Sequence, residues 1–182
     1  MRGTARALAA IVLLAGCAGE TTTEATVVEQ HPGAPQAARA PEAAALLALR
    51  TATAGFHSLD RAKAAGWDTQ FPAGCFKGPP GAGDMGFHYI NGSTVGTLDP
   101  SMPQLLIYEP QANGGMRLVG VEFIYPGLPT DPAPELFGQH FHYNYTFSVW
   151  ALHVWLWRDN PSGLYADWNP AVSCQYENDV TL

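Results

Sequence analysis

Residues 138–157 read Gly-Gln-His-Phe-His-Tyr-Asn-Tyr-Thr-Phe-Ser-Val-Trp-Ala-Leu-His-Val-Trp-Leu-Trp, the densest run of β-formers in the chain. Side chains alternate along a strand. Val149, Ala151, His153, Trp155 and Trp157 therefore fall on one face, and Trp150, Leu152, Val154 and Leu156 on the other. Both faces are apolar, so the strand is expected to be covered on both sides. A histidine at 153 is then buried and needs a partner. His140 and His142 are two apart and share a face of any strand they occupy. One or two strands are expected here, with a break near Thr146.

The surrounding pattern predicts an α+β fold. Pro41-Glu42 opens an Ala/Leu-rich run with helix-start chemistry, and Ala45, Leu49, Ala52 and Phe56 fall on one helical face. Ser58 is placed to cap a second short helix from Leu59 to Ala65, closed by Gly66. Trp67 to Gly86 reads as a loop rich in Gly and Pro. It lacks the Lys-Ser/Thr and the strand–helix context of a phosphate cradle. Strands are predicted from Gly86 to Asn91, Gln104 to Glu109 and Met116 to Tyr125, the last two forming a hairpin. On the returning arm, Leu118, Gly120, Glu122 and Ile124 are expected on one face and Val119, Val121, Phe123 and Tyr125 on the other. Pro126 to Phe137 and Arg158 to Cys174 read as loops. The expected architecture is N-terminal helices packed on a mainly antiparallel sheet, or partial barrel, of about five strands.

The N-terminus reads as a targeting segment. Arg2 and Arg6 precede a short apolar run, Ala7 to Ala15, too short to span a membrane. The following Leu14-Ala15-Gly16-Cys17 resembles the lipobox of bacterial lipoproteins. That resemblance implies a signal peptide over residues 1–16, cleavage before Cys17, lipidation of its sulfur and a membrane anchor facing the periplasm or the exterior. Residues 17–40, rich in Thr, Ala, Gln and Glu, read as a flexible tether that includes His31. Residues 41–182 read as a single domain. Loss of Arg2 and Arg6 would take the net charge from −7 to −9, which argues against nucleic acid as a partner. In an exported chain the two remaining cysteines, Cys75 and Cys174, are expected to pair as a disulfide.

Several phrases carry a wider resemblance: Met85-Gly86-Phe87-His88-Tyr89, Leu98-Asp99-Pro100, Leu106-Ile107-Tyr108-Glu109-Pro110, Val121-Glu122-Phe123, and Leu152-His153-Val154-Trp155 through Asn160-Pro161. Over roughly residues 50 to 175 the chain is similar to a group of uncharacterised bacterial exported proteins. The resemblance implies one domain and an exported location, and no activity.

Three residue sets could carry chemistry. His88, Glu122 and His153, with His140 and His142 as further ligands, offer imidazole and carboxylate donors suited to Zn, Cu, Fe or Mn. The His-x-His pair is similar to the first cupin motif, but the glutamate a few residues later is missing. The blander alternative is a set of separate histidines with structural roles. The second set is aromatic: Trp157, Tyr165 and Trp168 at a strand end and loop could stack on sugar rings if exposed. Glu109 and Glu122, on two arms of one hairpin, are a third arrangement, as an acid–base pair. The leading expectation is a lipid-anchored extracytoplasmic protein with a His/Glu transition-metal site. The alternatives are a non-metal, glycan-binding module of the cell envelope and a purely structural envelope domain.

Overall fold

The computed structural model describes residues 40–180. The expected signal peptide, Cys17, His31 and all of the expected tether except Ala40 lie outside the described residues. α1 (Ala40–Thr53) runs into a single 3-10 turn, Ala54–His57, and is followed by α2 (Leu59–Ala64). Ser58 caps α2, its hydroxyl accepting from the Arg61 N–H at 3.4 Å. Gly66 ends the segment at φ +105°, a conformation that favours glycine. α1 buries Leu49 and Thr53, while Ala52 faces solvent. A polar residue takes the inner position because the Thr53 hydroxyl is satisfied by the Leu49 carbonyl at 2.8 Å. No helix among the described residues is long and apolar enough to cross a membrane.

The helices pack on an antiparallel sheet that forms a half-barrel. Its strands are β1 (Thr69–Lys77), β2 (Asp84–Ile90), β3 (Leu105–Pro110), β4 (Met116–Pro126), β7 (His142–Asn144) and β8 (Val149–Val154), in the order β1-β2-β3-β4-β8-β7. Two further short strands, β5 (Glu135–Leu136) and β6 (Gln139–His140), make a separate hairpin. The α+β architecture with a partial barrel is thus as the sequence predicts, with six strands rather than about five.

The added strand is β1, in the stretch read as loop. It lies at the sheet edge, and its register jumps from Gln70 opposite Tyr89 to Cys75 opposite Phe87. Phe71, Pro72, Ala73 and Gly74 bulge out of the ladder between them. An edge strand with a bulge tolerates proline and glycine, which would break a central strand. The Gln70 side-chain carbonyl holds the bulge by accepting from the Gly74 N–H at 3.1 Å.

β4 also departs from strict alternation. Ile107 faces Gly120 and Tyr108 faces Leu118, so Val119 is an extra residue on β4. The bulge turns Leu118 toward the helices with Val121 and Phe123, and Val119 toward the opposite face with Ile107. The alternation predicted for Gly120 to Tyr125 holds. On β8 it holds through Trp155. The chain then leaves the ladder, with the Leu156 N–H on the Val154 carbonyl and the Trp157 N–H on the Val119 carbonyl. Trp157 consequently joins the helix side.

The main core lies between helices and sheet and includes Leu49, Tyr89, Tyr108, Phe123, Leu152 and Val154. Burying a side chain such as Leu49 stabilises by about 1.5–3 kcal/mol. The Tyr108 hydroxyl donates to the Phe56 carbonyl at 2.7 Å and ties the 3-10 turn to the sheet. The other face holds two smaller apolar clusters. Met85, Ile107, Val119, Trp155 and Val172 form one; Leu105, Ile124 and Ala151 form the other.

Cys75 and Cys174 are joined, with Cα atoms 5.8 Å apart. The bridge fastens β1 to the C-terminal segment. Asp84 reinforces it, one carboxylate oxygen accepting from the Cys174 N–H at 2.6 Å and the other from the Gly78 N–H at 3.1 Å. The bridged residues are 99 apart in sequence. By chain-entropy arguments, Cys75→Ser is expected to lower stability by about 2–5 kcal/mol. Chemical denaturation under non-reducing conditions checks this. An unchanged midpoint would show that the cross-link contributes nothing.

Candidate metal centre

His88 comes from β2, Glu122 from β4 and His153 from β8. Glu122 and His153 are directly opposed in the β4–β8 register, so their side chains meet as any cross-strand pair does. His88 is not adjacent to either. β2 and β8 are three strand spacings apart, roughly 14 Å in a flat sheet. Yet the His88 and His153 ring centroids are 6.1 Å apart. The sheet curls toward this face, and its side chains converge. Gly120 helps: a Cβ there would stand 3.1 Å from both Trp155 Cε3 and the Val154 carbonyl oxygen. Its absence lets Trp155 lie close to the sheet, nearly parallel to the His153 ring at 6.2 Å.

The convergence is closest at the heteroatoms. His88 Nε2 is 3.6 Å from one Glu122 oxygen, and His153 Nε2 is 3.6 Å from the other. These separations exceed ordinary hydrogen-bond lengths. They match the spacing of two ligands that share an ion, because donors about 2.1 Å from a common centre and about 120° apart lie ~3.6 Å from each other. The groups are deeply buried, with relative exposures of 2 % for His88 and His153 and 8 % for Glu122. Neither His153 nitrogen has a hydrogen-bond partner among the described residues. His88, Glu122 and His153 thus form a group that could hold a metal.

Outer contacts orient the two rings. His88 Nδ1 lies 3.2 Å from the Gly86 carbonyl. With the proton on Nδ1 donated there, the Nε2 lone pair faces Glu122. This is the arrangement that commonly orients a metal-binding histidine. His153 Nδ1 faces Asp167 Oδ1 at 3.5 Å, and the same oxygen lies 3.0 Å from His142 Nε2. His142, His153 and Asp167 form a second group whose ligand atoms lie within 4.8 Å of one another.

Burial and charge act differently on these groups. Burial pushes His88 down to about 3, with the neighbouring His153 charge adding to the effect. Burial also opposes charge on His153, but the Glu122 and Asp167 carboxylates outweigh it and raise that group above its ordinary value. Burial raises Glu122, against the attraction of His153. Asp167, although desolvation opposes it, is held below the usual carboxylate range by His153 and His142. At neutral pH His88 is therefore an uncharged donor.

A small cavity of about 30 Å³ adjoins the three groups. Phe71, Pro72, Phe76, Met85, Leu105, Ile124 and Phe147 supply most of its wall. Phe71 and Phe147, 5.4 Å apart, come from the β1 bulge and the β7–β8 turn.

The other expected ligands are placed differently. His140 is not part of the centre: it sits on β6, is 74 % exposed at the side chain, and faces Glu135 at 3.9 Å. The chain switches sheets between His140 and His142, with Phe141 buried and its N–H on the Pro134 carbonyl. His142 reaches only the outer group. Trp157, Tyr165 and Trp168 do not form an exposed stacking platform. Arg50 and His57 cover Trp157. Tyr165 packs on Phe137 and donates to Glu42 at 2.6 Å, while Trp168 lies parallel to Phe76. Glu109 does not face Glu122 either, since Arg117 opposes Glu109 and Leu105 opposes Glu122. Asp167 was not foreseen. It is a lone acid in a loop, and the only hint of it is the need of a buried His153 for a partner.

No protein-family model, curated protein or solved structure matches the chain.

In the metal-free protein the two buried histidines are expected to titrate on opposite sides of the ordinary imidazole value. His88 should stay neutral down to about pH 3, whereas His153 should take up its proton above 6.5. The depressed His88 contributes stability that is present above 6.5 and lost as pH falls toward 3. The raised His153 contributes stability that is present below 6.5 and lost as pH rises through its folded value. Imidazole NMR between pH 4 and 8 reads both. Two histidines titrating together near 6.5 would contradict this electrostatic picture.

Proposed function

We propose that the protein binds a transition-metal ion through His88 Nε2, His153 Nε2 and Glu122, as a lipid-anchored component of the bacterial cell envelope. The observation that carries the metal reading is the convergence of these three donors at 3.6 Å without hydrogen bonding, inside an apolar wall. Two imidazoles and a carboxylate suit Zn, Fe, Cu or Mn. The cysteine pair is joined in the disulfide, so the set contains no thiolate. Three protein donors leave coordination positions open, as a site that binds or activates a further ligand requires.

Burial favours a resident ion over cargo in transit, because a carrier that hands on its ion needs donors within a partner's reach. A cavity near 30 Å³ has room for a ligand of about the size of water beside the three donors. An ion bound there would act as a Lewis acid on such a ligand. The residues of the chain would hold the donors in place, exclude bulk water with Phe71 and Phe147, and keep His88 in the neutral tautomer through the Gly86 carbonyl. The envelope location rests on the Leu14-Ala15-Gly16-Cys17 motif.

Elemental analysis of the full chain, purified without a polyhistidine tag, tests the metal reading. One firmly bound ion per chain is expected at this centre, as isolated or after reconstitution. His153→Ala and Glu122→Gln should each reduce its occupancy at least tenfold while keeping cooperative unfolding. Failure to bind Zn, Cu, Fe or Mn would contradict the reading. For the anchor, Cys17→Ser is expected to move the protein from the membrane fraction to the soluble one. Unchanged membrane association would refute lipidation as its cause.

A further inference from the structure

We infer that His153 bridges two metal ions, with Nε2 on the inner His88–Glu122 ion and Nδ1 on a second, outer ion held by Asp167 and His142. The inference rests on the inner site proposed above and extends it. An imidazole with a purely structural role, or one bound to a single ion, normally donates its remaining N–H in a well-formed hydrogen bond. His153 is 2 % exposed, and its two nitrogens face carboxylate oxygens of Asp167 and Glu122 at 3.5 and 3.6 Å, longer than well-formed hydrogen bonds. Its Nδ1 stands 3.5 Å from Asp167 Oδ1, beyond ordinary hydrogen-bond reach and within the spacing of two ligands on one ion. His142 Nε2 completes the outer set; it lies at a hydrogen-bond length of 3.0 Å from the same oxygen, a contact that an ion there would replace.

The outer set is built by the fold. His142 opposes Ala151 in the β7–β8 register, so it is the diagonal neighbour of His153 on one sheet face. Their rings lie within 12° of parallel with centroids 6.4 Å apart. Asp167 arrives on the loop that Trp155 fixes, through its N–H on the Leu164 carbonyl and its indole N–H on the Ala166 carbonyl at 2.6 Å. The outer position is open to water, with side-chain exposures of 43 % for His142 and 42 % for Asp167. Bridging requires His153 to lose every ring N–H proton, one from the neutral ring or two from the imidazolium, and these pass to solvent. The imidazolate and the two carboxylates then set three negative charges against two divalent ions.

The test is a zinc titration of the metal-stripped full chain, followed by native mass spectrometry. The expected result is two zinc ions per chain in the parent and one in His142→Ala, with the same near-UV circular dichroism, since His142 is partly exposed. One ion in the parent would overturn the bridge and leave the inner site standing; none would overturn both. Two ions retained in His142→Ala would also overturn the outer set. Loading with Cu(II) then reads the bridge itself. An electron paramagnetic resonance signal at liquid-helium temperature well below the copper content is expected from coupling through the imidazolate. A signal accounting for all the copper would show two isolated ions and overturn the bridge.

Discussion

The opposition of Glu122 and His153 across β4 and β8 is the constraint on which the rest of the centre depends. A carboxylate on an apolar sheet face carries a desolvation penalty of several kcal/mol unless it is paired. The surroundings are otherwise apolar: Leu105, Ile124 and Ala151 lie on one side and Ile107, Val119 and Trp155 on the other. A leucine at 122 would fit this surface with none of that cost. The acid, set against two imidazoles that approach it without hydrogen bonding, is what the proposed ion between them would account for. A buried ion pair kept for stability alone is a weaker explanation, since hydrophobic replacements of such pairs are often neutral or stabilising.

The scaffold turns that pair into a three-donor centre. Curling of the sheet brings His88 to within 6.1 Å of His153 from three strands away. The bulge at Val119 and the bare Gly120 shape β4 where the curl is felt. β1 closes the face with Phe76, whose ring lies edge-on to His88 and parallel to Trp168. The disulfide next to Phe76 fastens this edge strand to the C-terminal segment. The loop carrying Asp167 and Trp168 is in turn held by Trp155. Packing, cross-link and loop therefore support the same few side chains, as a preorganised site requires.

Much of this was legible in the sequence because periodicity encodes faces. The two-residue period of β8 placed His153 on an apolar face, and the same reading of β4 placed Glu122 there. Ser58 and Gly66 marked the ends of α2 through capping chemistry. What the sequence concealed has physical reasons. β1 was hidden by Pro72 and Gly74, which an edge bulge tolerates and a propensity reading does not. The flip at Leu118 and Val119 was hidden because a bulge leaves the composition of a strand unchanged. His140 looked equivalent to His142 because spacing cannot show a chain changing sheets between them. The aromatic loop looked exposed because the partners of Trp157, Tyr165 and Trp168 lie far away in sequence, in α1, β1 and the β5–β6 turn. Asp167 was invisible for the same reason: its role depends on a tertiary contact made by a loop.

The most direct test of the central claim is X-ray absorption spectroscopy of the protein loaded with one equivalent of zinc. The account predicts an all-nitrogen-and-oxygen shell at about 2.0–2.1 Å with the outer-shell scattering of two imidazoles, and its loss in His88→Ala. A shell without imidazole scattering, or one unchanged in that variant, would contradict the assignment of His88, Glu122 and His153 as a metal centre.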